Sequence, residues 1–484
     1  MLKSVLLTFF ASTLCFVPRS ASAQVASTPD ANLLVDQMLD RLNKSDYKGF
    51  RDLADPGFLK SIPAMEVASF LSQLHSLGTL SRGKLRLDIG EIREYEMVAH
   101  KEGKPDVVFK LVVGAASSTR FFGFGVERFP KTVNNTEHLL TDNPAKNQRD
   151  KSVRDAVIRY AQTGQFAGMS IGVMENGKAF FNYGEQFVGG KQLPAKSSIY
   201  EIGSITKTFT GILLAQAVVD KKLSLDDDIR LHLPKEYSGV EFNGVPVLIR
   251  HLADHTSAIP GTPSNMDENL FNDPWGKYSR ALLLESIEKV KLSRQPGKTF
   301  EYSNAAVGLL GHILETKYQM TYDQLVKKFI TGPAKMENTA FELNRDQWNR
   351  YLPAYRADLT RCMRWNVRGI EAAGALRSDM VDMLKYAEFN IKGSSEAVRL
   401  SHQQNGMISP APFTTLGLLW GRKLSPTAGM TYSHAGGTGG FSTQILVAPT
   451  RKVGVVIMTN TGDASLDAVT YEVLIRLLAT PAKK

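Results

Sequence analysis

The spacing of apolar positions changes character along the chain. Over residues 30–77 they recur at helical intervals. In "MEVASFLSQLHSLG", Val67, Phe70, Leu71 and Leu74 fall on one face, and this predicts an amphipathic helix. "DVVFKLVVGA" and "TRFFGFGVERF" then read as strands. Helices followed by strands predict a small α+β domain over residues 24–131, with no catalytic constellation in it. Residues 132–150, "TVNNTEHLLTDNPAKNQRD", are polar and aperiodic and read as a linker to a second domain over 151–484. That domain opens with "MSIGVMENGKAFFNYG", a β-hairpin turning at Glu175-Asn176-Gly177. "SITKTFTGILLAQAVV" is apolar almost all round, the mark of a helix sunk in a core.

Composition and charge narrow the class. Lys3, the apolar run Val5–Val17 and the small residues Ala21-Ser22-Ala23 predict a signal peptide over 1–23, cleaved after Ala23. The run is short for a bilayer span and no later stretch approaches one, so the expected product is periplasmic or secreted, without an integral membrane segment. Cys15 would leave with the leader, and Cys362, then alone, can form no internal disulfide and reads as a packing residue. Of the formal charge of +10, cleavage would remove Lys3 and Arg19 and no acid, leaving +8. This excess is scattered, with no aromatic-interleaved basic stripe, which argues against a nucleic-acid partner. Oligomeric state is not legible.

The candidate chemistry begins at "EIGSITKTF", residues 201–209, where Ser204 precedes Lys207 by one helical turn. Three other Ser-x-x-Lys pairs occur. Ser45/Lys48 sits at a polar helix end, Ser81/Lys84 in an expected turn, and Ser286/Lys289 on a charged amphipathic helix. Only Ser204/Lys207 opens a buried helix. Positions i and i+3 share a face there, the hydroxyl reads as an N-cap, and free N–H groups favour developing negative charge. Burial also matters for the lysine. A free amine has a pKa of about 10.4 and is a poor base at neutral pH, but desolvation can lower it by several units.

Two further motifs each occur once: Tyr302-Ser303-Asn304 and His434-Ala435-Gly436, the latter followed by "GTGGFSTQILVAP". A phenol can serve as a second proton carrier, an amide can orient a substrate carbonyl, and glycines on a strand edge let backbone N–H groups approach an oxyanion. A Gly-x-Ser-x-Gly match at 168–172 competes for attention. The nucleophile elbow it imitates needs a strand, a turn and then a helix, whereas Ser170 lies within a predicted hairpin strand.

The order Ser-x-x-Lys, Tyr-x-Asn, His-x-Gly resembles the penicillin-recognising serine hydrolases of the class C β-lactamase type. These include D-alanyl-D-alanine carboxypeptidases, D-aminopeptidases and β-lactamase-like esterases. The resemblance covers roughly residues 150–480 and extends to "IRHLADHTSAIPG", "AAGALRSDM", "GLLW" and "GVVIMTNTG". It implies a β-lactamase/transpeptidase-like fold, an antiparallel sheet flanked by helices with an all-helical subdomain. The N-terminal domain, by element order alone, resembles cystatin-like and nuclear-transport-factor-like folds.

The same resemblance implies an acyl-enzyme on Ser204, proton shuttling by Lys207 and Tyr302, and substrate binding by Asn304, His434 and Gly436. Backbone N–H groups of Ser204 and Gly437 would form the oxyanion hole, and no metal or cofactor is called for. Small peptides, esters or β-lactams are the expected substrates. D-alanyl peptides come first, short acyl esters second, and a penicillin- or peptide-binding protein without turnover is the reading from another class. The chain departs from the Lys-Thr-Gly common in the group by having His434. A histidine of unperturbed pKa about 6.5 supplies less charge, so β-lactam hydrolysis should be weaker, and any help from its charge should titrate between about 5.5 and 7.5. His251 and His255 read as hydrogen-bonded turn residues, and Ser378 as the cap of the helix after it.

Overall fold

A computed structural model describes residues 31–54, 78–88, 92–103, 106–114, 120, 121, 123–128, 145–163, 167–186, 196–233, 239–266, 273–406, 414–425, 427–462 and 466–479. The leader and the predicted helix around Val67 to Leu74 lie outside them. The chain divides into two compact units. One is Met1–Thr132 with the short stretches Ala411–Thr414 and Lys423–Gly429, and the other is the remainder.

In the first unit, α1 (Ala31–Asn43) and α2 (Tyr47–Asp52) precede an antiparallel meander. Its strands are β1 (Thr79–Asp88), β2 (Ile92–His100), β3 (Val107–Gly114) and β4 (Gly123–Arg128). Leu34, Val35, Met38, Leu39 and Leu42 bury one stripe of α1. The Asn43 amide then pairs with β1, donating to Leu80 O at 2.7 Å and accepting from Leu80 N–H at 2.7 Å. The sequence reading found β3 and β4 but not β1 and β2, whose apolar residues are interrupted by charges. It also placed Ser81–Lys84 in a turn. The segment lies instead inside β1, at an irregularity between Arg82 and Leu85.

The second unit is built on a sheet in which β7, β8, β9, β5 and β6 lie side by side in that order. Here β5 is Gly168–Glu175, β6 Lys178–Gln186, β7 Gly429–Gly437, β8 Ser442–Ala448 and β9 Val453–Thr459. The expected hairpin joins β5 to β6 through Asn176 and Gly177, with φ of 51° and 78°. These paired left-handed residues match the twist of antiparallel strands. β8 and β9 are buried along their whole length, as strands covered on both faces are. The covering helices are α6 (Met380–Lys392) and the mutually packed α3 (Gln148–Thr163) and α7 (Asp467–Ala479). Helix α3 takes in Gln148–Asp150, the end of the stretch read as linker.

Beside the sheet sits a helical layer centred on α4 (Thr206–Val219) and α5 (Asn304–Tyr318), joined by the short helices Arg280–Glu288 and Glu371–Gly374. Helix α4 is the predicted sunken helix, with eleven of its residues buried, Thr206–Ala215 and Ala217. Ser204 is not its N-cap. It lies in a single 3-10 turn, Gly203–Ile205, and the position ahead of α4 is Ile205, which makes no side-chain cap bond. Ser378 likewise caps nothing. Asp379 caps α6 by accepting from Asp382 N–H at 2.9 Å, while the Ser378 hydroxyl pairs with Thr339 Oγ1 at 2.7 Å.

Gly211 shows how closely α4 is held. A Cβ there would fall 1.9 Å from the Leu418 carbonyl oxygen. In an open helix Gly→Ala gains about 1 kcal/mol. Here the sign reverses, and Gly211→Ala should lower stability by about 1–3 kcal/mol through overpacking against backbone. A chemical-denaturation series reads this, and a stabilised variant would contradict the packing described.

Candidate active site

Ser204 and Lys207 meet because the 3-10 turn feeds straight into α4. Lys207 Nζ donates to Ser204 Oγ at 3.0 Å, to Asn304 Oδ1 at 2.7 Å and to the Ala373 carbonyl at 2.6 Å. Three acceptors match the donors of an ammonium, yet the side chain is fully buried and no carboxylate among the described residues contacts it. Desolvation therefore drives its pKa well below the usual lysine range. The amine also lies 4.8 Å from the centre of the Tyr302 ring.

Tyr302 and Asn304 arrive together at the start of α5. Ser303 between them is the N-cap, accepting from Ala306 N–H at 3.0 Å and donating to Pro260 O at 2.8 Å. Asn304 N–H donates to Gly261 O at 3.0 Å. A helix start thus fixes both flanking side chains on one side of Lys207. Tyr302 is 39% exposed, the largest exposure in the cluster. Crowding around its hydroxyl raises its pKa, while the nearby Ser204 hydroxyl works against that rise. Asn304 turns its amide oxygen to the amine, and the amide nitrogen keeps its two donors.

The third motif comes from β7. Gly203, with φ of +49°, brings its turn so close to this strand that a Cβ would fall 2.7 Å from Gly437 N. Gly436 faces the same turn, and a Cβ there would fall 2.0 Å from Ile202 O. Strand and Ser204 turn therefore approach backbone to backbone. His434 is half-buried, and its Nδ1–H donates to Ala435 O at 2.6 Å, leaving Nε2 as the acceptor. Desolvation first, then Lys207, pushes its pKa down to about 4, with the Ala435 bond working the other way. The expected titration near neutrality is thus displaced, and the ring is neutral at pH 7.

Other residues fall where the sequence placed them, or were missed. Ser170 is buried mid-strand, its hydroxyl paired with Tyr200 Oη at 2.7 Å. Cys362 donates weakly to Gly439 O at 3.4 Å. His251 is hydrogen-bonded as expected but lies in the short helix Ile249–Ala253 rather than in a turn, its Nδ1 accepting N–H of the N-cap residue Leu248 at 3.1 Å. Ala373, within the quoted "AAGALRSDM", had no role in the sequence reading, because a carbonyl contact leaves no side-chain signature. Glu201, buried beneath the nucleophile turn, was also passed over. It accepts Trp365 N–H at 2.8 Å and the Tyr351 hydroxyl, and burial raises its pKa. Among the described residues no cluster of His, Cys, Asp and Glu is arranged to hold a metal ion. None of their helices is long and apolar enough to cross a membrane.

Residues 153–480 match the family model described as Beta-lactamase, and the chain belongs to that family of penicillin-recognising serine hydrolases. It is 26% identical over 347 residues to a "Beta-lactamase" of Providencia stuartii, covering 64% of this chain and 86% of the relative. Identity is 27% over 335 residues to the "D-alanyl-D-alanine-carboxypeptidase/endopeptidase AmpH" of Escherichia coli K12, covering 63% and 83%. Among solved structures, a "Beta-Lactamase/D-Alanine Carboxypeptidase from Pseudomonas syringae" superposes with a TM-score of 0.59 at 20% identity, over 69% of this chain and all of that one. The fold of the second unit is thus β-lactamase/transpeptidase-like, an antiparallel sheet with helices. The cystatin-like or nuclear-transport-factor-like assignment of the first unit remains an expectation from element order.

The tautomer and pKa of His434 give a direct test. Its ring signals in a histidine NMR titration should stay flat from pH 8 to about pH 5.5 and move only toward pH 4. A midpoint between about 5.5 and 7.5 would mean the ring is charged by a partner not seen here.

Proposed function

We propose that the protein is an acyl-transfer hydrolase that forms an ester intermediate on Ser204, with D-alanyl peptides or β-lactams as first substrates. The observation that carries this is the dry Lys207 amine, bonded to Ser204 Oγ and packed beside Tyr302. Burial holds the Lys207 pKa well below the usual lysine range, and this suits the amine to take the Ser204 proton as Oγ attacks the carbonyl carbon. Tyr302, whose raised pKa keeps it a phenol, passes a proton to the leaving group and later receives one from the water that releases the acyl group. Asn304 offers its amide N–H groups to a substrate carbonyl. Backbone N–H groups of Ser204 and Gly437 receive the oxyanion, and the close approach of Gly203 to Gly437 supports that pairing. The names of the Providencia and Escherichia relatives support the substrate class.

A second reading, a carboxylesterase for short acyl esters, is favoured by one observation. His434 is neutral, so it offers no fixed positive charge to a substrate carboxylate from the third motif. Chasing a fluorescent penicillin label and measuring p-nitrophenyl ester turnover separate these readings. Stable label without release points to a peptidase or to a binding protein, and rapid ester turnover points to the esterase.

Ser204→Ala should abolish both label and turnover, while Ser170→Ala keeps the label. Lys207→Arg, which cannot shed its proton, should lower kcat by about 10²- to 10⁴-fold. Wild-type activity should be lost as pH falls through the depressed Lys207 pKa, because the base becomes protonated. Label that survives in Ser204→Ala and vanishes in Ser170→Ala would assign the chemistry to the wrong serine.

A further inference from the structure

His255 stands beside the cluster without a place in the chemistry above. It is buried, and its backbone has φ of 58°, a left-handed conformation uncommon for a residue other than glycine. That conformation lets one residue meet the whole run before α5. Its carbonyl accepts Glu301 N–H at 2.7 Å, and its Nδ1 accepts Ser303 N–H at 3.2 Å. Its ring lies 4.4 Å from the Tyr302 ring centre at a 33° tilt, and 5.7 Å from Phe300, edge to face. Tyr302 is therefore bracketed by hydrogen bonds to the residues on both sides of it and packed against the same imidazole. An Nδ1 that accepts a backbone N–H must carry a lone pair, so the ring proton sits on Nε2. This is the opposite tautomer to His434. A second proton would set N–H against N–H at Ser303, and burial first, then Lys207 and His434 when charged, oppose it too.

We propose that His255 is a positioning residue that holds the Tyr302 phenol in line with Lys207 and Ser204, acting through Tyr302 and touching no substrate. The inference rests on the proton-carrying role given to Tyr302. Its test is a double-mutant cycle on p-nitrophenyl ester hydrolysis with His255→Asn, Tyr302→Phe and the pair. Asparagine tolerates the left-handed backbone and its amide oxygen can accept Ser303 N–H, so this variant removes the ring and keeps the turn. His255→Asn should lower kcat by about 10- to 100-fold with KM and melting temperature nearly unchanged, the pattern of a misplaced proton carrier. In the Tyr302→Phe background the same change should do almost nothing.

Equal losses in both backgrounds, or a wild-type kcat for His255→Asn beside a crippled Tyr302→Phe, overturn the inference and leave the hydrolase reading standing. A wild-type kcat for Tyr302→Phe removes both the phenol's role and the inference. Should His255→Asn not fold, ¹⁵N NMR of the histidine-labelled wild type decides. His255 should show a bare Nδ1 and a protonated Nε2 across pH 5–8, with signals that shift in Tyr302→Phe. An Nδ1–H tautomer, titration in that range, or signals unmoved by Tyr302→Phe would overturn the inference.

Discussion

The second unit is organised around the cost of keeping an amine dry. Lys207 enters the interior on a helix with almost no polar face, and no acidic side chain among the described residues meets it there. Such an amine persists only if it sheds its proton or finds hydrogen-bond acceptors. Ser204, Asn304 and the Ala373 carbonyl are those acceptors. Each is delivered by a different element: the 3-10 turn, the start of α5, and the short helix Glu371–Gly374. The requirement therefore ties segments distant in sequence to a single point. It also explains why the helical layer packs so tightly, since water reaching the amine would restore its ordinary basicity.

How much of this was legible follows from how each contact is made. Ser204 and Lys207 could be found because both lie within one helical turn, and Tyr302 and Asn304 because they flank one residue. The sheet hairpin was legible from Asn176-Gly177, whose backbone preference is local. Misreadings arose where a neighbour overruled a local preference. Ser204 has the chemistry of a cap, but the left-handed Gly203 starts a tighter turn one step earlier. Ser378 yields the cap to Asp379, which lies one position nearer the helix. The strands β1 and β2 escaped detection because charges such as Arg82, Lys84, Arg86 and Glu94 interrupt their apolar pattern. Contacts made by carbonyls, or by a residue in an unusual backbone state, leave no trace in spacing. Ala373 and His255 are of that kind.

Histidine in the third motif takes on a different meaning once its surroundings are known. By itself it suggests a weaker, pH-dependent substitute for lysine. Its own burial, and then the neighbouring Lys207, lower the His434 pKa, while the bond to Ala435 O fixes a proton on Nδ1. The site then sets a desolvated amine, a neutral imidazole and a phenol side by side. Oriented N–H dipoles, at the Ser204 turn and along β7, are then the groups suited to meet negative charge.

The seam between β7 and the nucleophile turn has a consequence for how such a scaffold can diversify. Gly436 points inward against Ile202, whereas Ala435 and Gly437 on either side are exposed. The junction admits no side chain, so the reacting geometry is insulated from whatever residue occupies the outward position at 435. Selectivity and chemistry are thereby separable along a single strand. New preferences can accumulate at a rim position while the inner seam stays fixed by steric exclusion.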